Sequence, residues 1–355
     1  MRRLCLFAFG LTLVVVMLGA YTRLTDAGLG CPDWPGCYGF NYVPGSAQDH
    51  ATAALRFPDT PLEVSKARNE MVHRYAAGTL GCIILLMALW SLRSSQSAYR
   101  GFAWGLLALV CGQATLGMLT VTLNLLPFVV MGHLLGGFTI LALLFLLLCK
   151  TRPPRQSSSR QTPTRQTPPR QTPSGQTHRG RGLGVWFVLA LGALLLQIAL
   201  GGWTAANYAA MACLELPVCQ GDWPGQWQWS AFHPHGVPAE NYQYGVLSQD
   251  ERVTIHAAHR LWAMVTACVL LILAWRLWQQ PALRHWGAWL ALGVVMQLAL
   301  GVANVVLHLP LAVAVAHNAG AAILLLVLTG TGERLWRARA NPVPVHGFVA
   351  VTNEN

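Results

Sequence analysis

Four histidines occupy matching places inside long apolar segments of this 355-residue sequence. His73 and His133 lie in its first part, and His259 and His317 lie in its second part. An ionisable side chain inside a membrane span is costly and usually marks a functional site. Two imidazoles that face each other suit the axial ligation of a haem iron, whereas zinc takes about four ligands around one point. The pattern predicts two bis-histidine haem sites, with hydrogen-bonded packing as the alternative for any single histidine.

The residue three positions before the first histidine of each pair differs between the two parts. Glu70 precedes His73, whereas His256 precedes His259. A spacing of three residues puts each pair on one face of a helix. The two parts therefore carry different chemistry beside their histidines, with a carboxylate in one and an imidazole in the other. Stabilisation of a helix N-terminus by an acidic residue is the alternative interpretation of Glu70.

An arginine follows the first histidine of each pair, as Arg74 and Arg260. Guanidinium groups bind carboxylates through two parallel hydrogen bonds. Both arginines are therefore candidates to bind haem propionates or to support the ligands, and His256 is a third candidate for such a supporting role. Arginines near the end of a span also extend toward the membrane surface, which is the alternative for both.

The elements that must position these side chains are membrane-spanning helices. The sequence is 54% hydrophobic and only 10% charged, whereas soluble domains are about a quarter charged. Its apolar runs reach the length of about 20 residues that crosses a bilayer. A cleaved signal peptide is the alternative for the first run. We predict an all-α membrane protein with eight transmembrane helices, at 4–23, 71–93, 101–121, 127–149, 184–204, 254–275, 286–306 and 312–332.

The distribution of basic residues predicts the orientation of these spans. The net charge is +11, and 8 of the 24 lysines and arginines lie between Lys150 and Arg181. The others mostly flank the spans, and with eight spans every basic segment falls on one side. Basic segments favour the cytoplasmic side, so both termini are predicted to be cytoplasmic. No basic patch interleaved with aromatic residues is present, which excludes nucleic-acid binding.

Several features recur along the chain at nearly one spacing, which indicates a duplicated unit. The spacing is 182 to 186 residues, obtained by subtracting the first residue number from the second. The recurring pairs are Thr22 and Thr204, Cys31 and Cys213, His73 and His259, Gly117 and Gly301, and His133 and His317. We therefore predict two tandem pseudo-symmetric four-helix bundles.

The duplication divides the chain into four segments. The N-terminal bundle covers 1–149 and the C-terminal bundle covers 184–340. Between them, 150–183 repeats Arg-Gln-Thr-Pro and offers no apolar face, so we predict a disordered basic linker there. Residues 341–355 are predicted to form a cytoplasmic tail.

Two cysteine pairs lie in the predicted outer loops. They are Cys31 with Cys37 and Cys213 with Cys219, each separated by five residues. Disulfides persist outside the plasma membrane, so each pair is a candidate disulfide within its loop. Closeness in sequence does not establish the geometry of a bridge, and reactive thiols are the alternative.

The combination and order of these motifs resembles the haem A synthase family. The resemblance covers nearly the whole chain except 150–183 and the tail after about 340. It is carried by Thr22-Arg23-Leu24, Gly30-Cys31-Pro32-Asp33-Trp34-Pro35, Glu70-x-x-His73-Arg74, Gly132-His133, His259-Arg260 and His317. The long linker departs from the family's usual short connection.

The resemblance implies an activity and a division of labour between the two parts. The family oxidises the methyl group at ring position 8 of haem O to a formyl group, which gives the haem A of terminal oxidases. By resemblance, His73 and His133 hold the substrate haem O, and His259 and His317 hold a haem B that passes electrons. Glu70 is then the catalytic residue near the methyl group.

The resemblance also implies a location and partners. It suggests a multi-pass protein of the bacterial plasma (inner) membrane, surrounded by lipid. A haem O-producing farnesyltransferase and a terminal oxidase are the implied partners, and association into a homo-oligomer is left open.

Two other functional classes compete with this interpretation. A dihaem b-type cytochrome that exchanges electrons with quinone would use bis-histidine sites equally well. The presence of Glu70 in one part only favours catalysis over simple electron transfer. A transporter with parallel repeats is the other rival, but it needs neither axial ligand pair.

Overall fold

The computed structural model describes residues 1–151, 176–217, 219, 221–234 and 237–340. The predicted tail at 341–355 and most of the predicted linker lie outside this part of the chain. Within it, secondary structure is helical, and the single β-bridge joins Cys37 to Phe40.

Nine α-helices are found in the described residues. They are α1 (Arg2–Leu24), α2 (Ala47–Arg56), α3 (Val64–Trp90), α4 (Arg100–Thr122), α5 (Pro127–Lys150), α6 (Gln176–Ala206), α7 (Gln249–Trp278), α8 (Arg284–Val306) and α9 (Leu311–Ala340). Short 3₁₀ helices lie at Ser94–Tyr99 and Trp229–Phe232. All the α-helices except α2 are long and apolar enough to span a membrane. The prediction of an all-helical, multi-pass membrane protein with eight spans is confirmed.

Several helices begin earlier than predicted. The helix α3 begins at Val64 and α7 begins at Gln249, so their histidines lie deeper along the helix than hydropathy suggested. A capping box at Ser248 and Glu251 starts α7, because both side chains satisfy backbone groups that the first turn leaves free. The helix α6 begins at Gln176, so 176–183 is helical rather than part of a disordered linker.

Within each part of the chain, the four spans form a ring in which every span packs against two others. The helix α1 contacts α3 and α5, and α4 contacts the same two helices. In the second part, α6 and α8 each contact both α7 and α9. Contacts between the parts run from α5 to α6 and α9, and from α1 to α9. Each pair of histidines therefore comes from two helices of one four-helix group.

The C-terminal ends of α1 and α6 are joined by polar contacts. The Arg23 guanidinium donates to the Ala205 carbonyl at 2.6 Å and lies 3.9 Å from the centre of the Tyr208 ring. The Tyr208 hydroxyl donates to the Asp26 carboxylate at 3.1 Å. Burial raises the pKa of Tyr208, and Asp26 adds to this rise while Arg23 opposes it. These contacts fix the two parts of the chain relative to each other near the outer loops.

Candidate functional site

Glu70 lies on α3, with its side chain against the loop between α1 and α2, and is 4% exposed. Its Oε2 atom accepts a hydrogen bond from the Cys31 backbone N–H at 2.8 Å. Its Oε1 atom forms an ion pair with Arg74, one turn further along the helix. A buried carboxylate needs such partners because desolvation penalises its charge. The predicted catalytic carboxylate is thus buried and held by both the loop and its own helix.

Arg74 joins the loop to α3. Its Nη1 atom donates to the carbonyls of Asp33, Pro35 and Gly36 at 2.9, 3.3 and 2.5 Å. The same guanidinium binds Glu70 through Nη2. The guanidinium supplies five donors in a rigid arrangement, which suits this convergence of carbonyl groups. In this structure Arg74 anchors the loop, and its role toward a propionate stays a prediction.

A disulfide closes the loop that covers Glu70. The sulfur atoms of Cys31 and Cys37 are 2.04 Å apart, and both residues are fully buried. The Asp33 carboxylate inside this loop accepts hydrogen bonds from the Tyr38 and Gly39 backbone N–H groups at 2.6 and 2.8 Å. The loop therefore presents the Cys31 N–H to the carboxylate as part of a fixed structure.

Tyr38 closes the same loop against the segment before α3. Its hydroxyl donates to the Pro61 carbonyl at 3.1 Å. Burial raises the pKa of Tyr38, and the nearby carboxylates of Glu63, Asp33 and Glu70 add to the rise. The loop accordingly keeps a neutral, buried phenol at ordinary pH.

His73 and His133 face each other in the first four-helix group. Their ring centres are 6.4 Å apart, and the ring planes are 79° apart. Two imidazoles that bind one metal ion at about 2 Å from each nitrogen have ring centres roughly 6 Å apart. The His73 Nδ1 atom is buried and has no hydrogen-bond partner among the described residues. The separation of the two rings suits axial ligands of one iron.

Each of these rings packs against a glycine of the preceding span. A Cβ atom added to Gly19 would lie 3.1 Å from the His73 ring, and one added to Gly117 would lie 3.2 Å from the His133 ring. Both distances are tighter than ordinary contacts between carbon atoms. The glycines therefore let each imidazole approach the backbone of the neighbouring helix.

The second group repeats this arrangement. A Cβ atom added to Gly201 would lie 3.1 Å from the His259 ring, and one added to Gly301 would lie 3.3 Å from the His317 ring. Among the described residues, no group of three or more histidine, cysteine, aspartate or glutamate side chains lies close enough to hold a metal ion. In both groups the donor set is a pair of imidazoles, which fits a haem better than zinc.

The surroundings of His256 differ from those of Glu70. His256 is 5% exposed, and its Nδ1 atom has no hydrogen-bond partner in the described part of the chain. Arg260 donates to the carbonyls of Cys213 and Glu215, both at 2.6 Å. It anchors the second loop without pairing with a carboxylate on its own helix. The Cys213–Cys219 disulfide, with its sulfur atoms 2.11 Å apart, closes that loop.

Three glutamines that we did not predict as site residues contact the histidines. Gln113 contacts His133, Gln197 contacts His259 and Gln297 contacts His317. The sequence contained a signal for them, because each stands four residues before one of the glycines that cradle the rings. The sequence alone did not identify their role, since the partner histidine of each glutamine lies on another helix.

Together, the fold and the site define a multi-pass helical membrane protein with four intramembrane histidines, each packed on a glycine. Residues 2–329 match the COX15-CtaA family, described as cytochrome oxidase assembly protein. The chain belongs to this family.

Relatives in several bacteria carry a common name. The chain is 43% identical to haem A synthase of Shewanella oneidensis over 327 residues, which cover 92% of this chain and 93% of that protein. It is 25% identical to haem A synthase of Erythrobacter litoralis over 361 residues, covering 93% and 95% of the two chains. It is 27% identical to haem A synthase of a Chelativorans species over 368 residues, which cover 96% of this chain and 92% of that protein.

Proposed function

We propose that this protein is a haem A synthase, which oxidises the C8 methyl group of haem O to a formyl group in successive steps. The observation that carries the proposal is the buried Glu70 carboxylate, on the same helix as His73 and one turn before it. Family membership and the relatives named haem A synthase support the same activity.

The first four-helix group is the proposed substrate site. His73 and His133 would hold haem O, and Glu70 precedes His73 by one turn of the same helix. A fixed carboxylate in a site that excludes water stabilises positive charge that develops on the reacting group, or accepts its proton. The Cys31 N–H and Arg74 hold that carboxylate in place, so it does not have to reorganise during the reaction.

The second four-helix group is the proposed cofactor site. His259 and His317 would hold a haem B, which supplies reversible one-electron transfer when it is bound. The position of Glu70 is taken here by His256, so this group has no carboxylate next to its first ligand. Arg74 and Arg260 are proposed to support the ligands by anchoring the loops above them.

The proposed organisation follows the duplication. Segments 1–149 and 184–340 form the two bundles, and both termini are cytoplasmic in the bacterial plasma membrane. The loops with the disulfides then face the outside, where disulfides persist. A farnesyltransferase that makes haem O and a terminal oxidase that receives haem A are the proposed partners.

Haem extraction followed by chromatography tests the proposal. The protein is purified from cells that also make haem O, and its haems are separated and identified. We expect haem B together with haem O, a hydroxylated intermediate or haem A. Haem B alone, with no haem A in those cells, would instead support a dihaem b-type cytochrome.

A further inference from the structure

A glutamine contacts three of the four site histidines, and the fourth lacks one. The motif Gln-x-x-x-Gly occurs in α4, α6 and α8, and its glycine is the one that packs against the histidine of the next span. In α1 the glycine Gly19 is preserved, but Val15 stands at the position of the glutamine, and its backbone rather than a side-chain amide is the hydrogen-bond partner of His73. The exception is therefore His73, in the group that contains Glu70.

The glutamines bind both the ring and the backbone of their histidines. The Gln113 Nε2 atom lies 3.1 Å from the His133 Nδ1 atom and also donates to the His133 carbonyl. The Gln297 Nε2 atom lies 3.3 Å from the His317 Nε2 atom and donates to the His317 carbonyl at 3.0 Å. Contacts at two points fix the side chain relative to the helix that carries the histidine.

The third glutamine makes the same kind of contact. The Gln197 Nε2 atom lies 3.1 Å from the His259 Nδ1 atom and 3.2 Å from the His259 carbonyl. A ring contact and a backbone contact thus recur in all three cases, on different helices.

Two further glycines make room for the glutamines. A Cβ atom added to Gly136 would collide with the Gln113 Oε1 atom, and one added to Gly320 would collide with the Gln297 Oε1 atom. Each glycine stands three residues after its histidine. At the matching position after His73 stands Ala76. Trp262 stands at the matching position after His259, whose ring Gln197 still contacts, so the missing glutamine is what distinguishes the first histidine.

The amide oxygens of the three glutamines can each accept a hydrogen bond, as a metal-binding histidine requires. The Oε1 atoms of Gln113, Gln197 and Gln297 are buried and have no hydrogen-bond partner in the described residues. A histidine that binds a metal through one ring nitrogen usually donates a hydrogen bond from the other, which fixes its orientation. A half-turn of the amide would bring Oε1 to the ring, in exchange for the Nε2 contacts with the ring and the histidine carbonyl.

We propose that Gln113 is a positioning residue that makes His133 the more tightly bound ligand of the substrate haem, whereas His73 is the ligand that exchanges first. This inference rests on the proposed function, and it adds how the substrate site loads and unloads. The second group has a glutamine on both histidines and retains its haem. The first group has one on a single histidine, so haem O would bind His133 before His73, and haem A would leave by breaking the bond to His73 first and the bond to His133 second.

Single-ligand variants test the difference between the two histidines. His73→Ala and His133→Ala are made in a His259→Ala/His317→Ala background, so that only the first group binds haem. The purified proteins are titrated with haem B as the probe, and spin state is followed by absorption and electron paramagnetic resonance. We expect His73→Ala to bind haem in a five-coordinate high-spin form and His133→Ala to bind it at least about 10-fold more weakly. Equal loss in both variants, or greater loss in His73→Ala, would overturn the proposal.

Variants of the glutamine test its role directly. In the same background with both ligands intact, Gln113→Leu should release haem to apomyoglobin about 10- to 100-fold faster. It should also raise the midpoint potential, because the ring loses a hydrogen-bond acceptor. Gln113→Glu keeps an acceptor and should restore retention. An unchanged release rate and potential in Gln113→Leu would contradict the proposal.

The opposite change installs the missing contact. Val15→Gln/Ala76→Gly supplies His73 with the residues found around His133, and it should slow haem release in the first group. Release as fast as from the parent protein would count against exchange at His73. None of these measurements depends on haem A formation, so a wild-type protein that binds haem but makes no haem A would refute the proposed function alone.

Discussion

The two four-helix groups use one scaffold for two different environments. In both groups a histidine packs against a glycine of the preceding span, and an arginine one residue later anchors a disulfide-closed loop. The two groups differ at the position three residues before that histidine, where the first group has Glu70 and the second has His256. The loop of the first group donates a backbone N–H to the carboxylate, so the difference extends from the helix into the loop.

The packing of the histidine rings and the chemistry beside them depend on different residues. Glycines at matching positions in α1, α4, α6 and α8 set how closely the rings approach the backbone. They are the same in both groups, whereas Glu70 and His256 beside the histidines differ. In the proposed function, this difference separates the substrate site from the electron-transfer site.

The largest effect is expected from removing the negative charge of Glu70. Glu70→Gln should lower turnover of haem O by about 10²- to 10⁴-fold, the usual contribution of a positioned acid–base group. Haem content should be preserved, because both ligands remain. Turnover is measured as haem A formed per protein in membranes supplied with haem O.

The matched control for this variant is Glu63→Gln. Glu63 lies just before α3, and its side chain is 59% exposed in an ion pair with Lys66. Its substitution removes the same charge at the surface and should leave turnover within about twofold, since exposed ion pairs contribute little. Normal haem A formation by Glu70→Gln would rule out the role proposed for Glu70.

A smaller effect should separate the two arginines. Arg74→Gln removes the ion-pair partner of a buried carboxylate and should lower the free energy of unfolding by about 3 kcal/mol. Arg260→Gln removes hydrogen bonds to loop carbonyls but no ion pair, and should cost about 1–2 kcal/mol. Detergent-solubilised variants are compared by denaturant titration. Equal losses would show that the pairing of Arg74 with Glu70 adds nothing to the anchoring of the loop.

The smallest effect concerns the contact that joins the two parts. Tyr208→Phe removes the hydrogen bond to Asp26 and should cost about 1 kcal/mol of unfolding free energy. Because the folded state raises the pKa of Tyr208, its contribution is complete below about pH 10 and is lost as pH rises through the raised value. As the pH rises above about 10, the free energy of unfolding should therefore fall less for Tyr208→Phe than for the parent protein.

Thermal unfolding between pH 8 and pH 11 measures this dependence. Tyr42→Phe is the control, since Tyr42 is 52% exposed and lies in the first outer loop. An identical pH profile for Tyr208→Phe and the parent protein would refute the prediction.

Hydropathy and residue spacing predicted much of the fold and part of the site. Eight apolar runs identified the spans, because crossing a bilayer imposes a length and a composition that are visible locally. The three-residue spacing placed Glu70 and His73 on one helix face, and the structure brings His73 and His133 together as expected.

The remaining features depend on contacts between distant parts of the chain. The convergence of Arg74 on the carbonyls of Asp33, Pro35 and Gly36 requires the folded loop, which no periodic pattern describes. The helix α2 lies outside the predicted spans although Ser46 and Asp49 form a capping box at its start, because hydropathy identifies only helices long and apolar enough to cross a bilayer. Gln113 was missed because its partner is 20 residues away on another helix.

Haem analysis of paired-ligand variants tests the division of labour most directly. His73→Ala/His133→Ala and His259→Ala/His317→Ala are purified from cells that make haem O, and the haems of each are extracted and separated by chromatography. The first variant should retain haem B and lose haem O and its oxidised products. The second should lose haem B, retain haem O and form no haem A. Loss of the same haem from both variants, or loss of haem B from the first variant alone, would contradict the assignment of substrate and cofactor to separate groups.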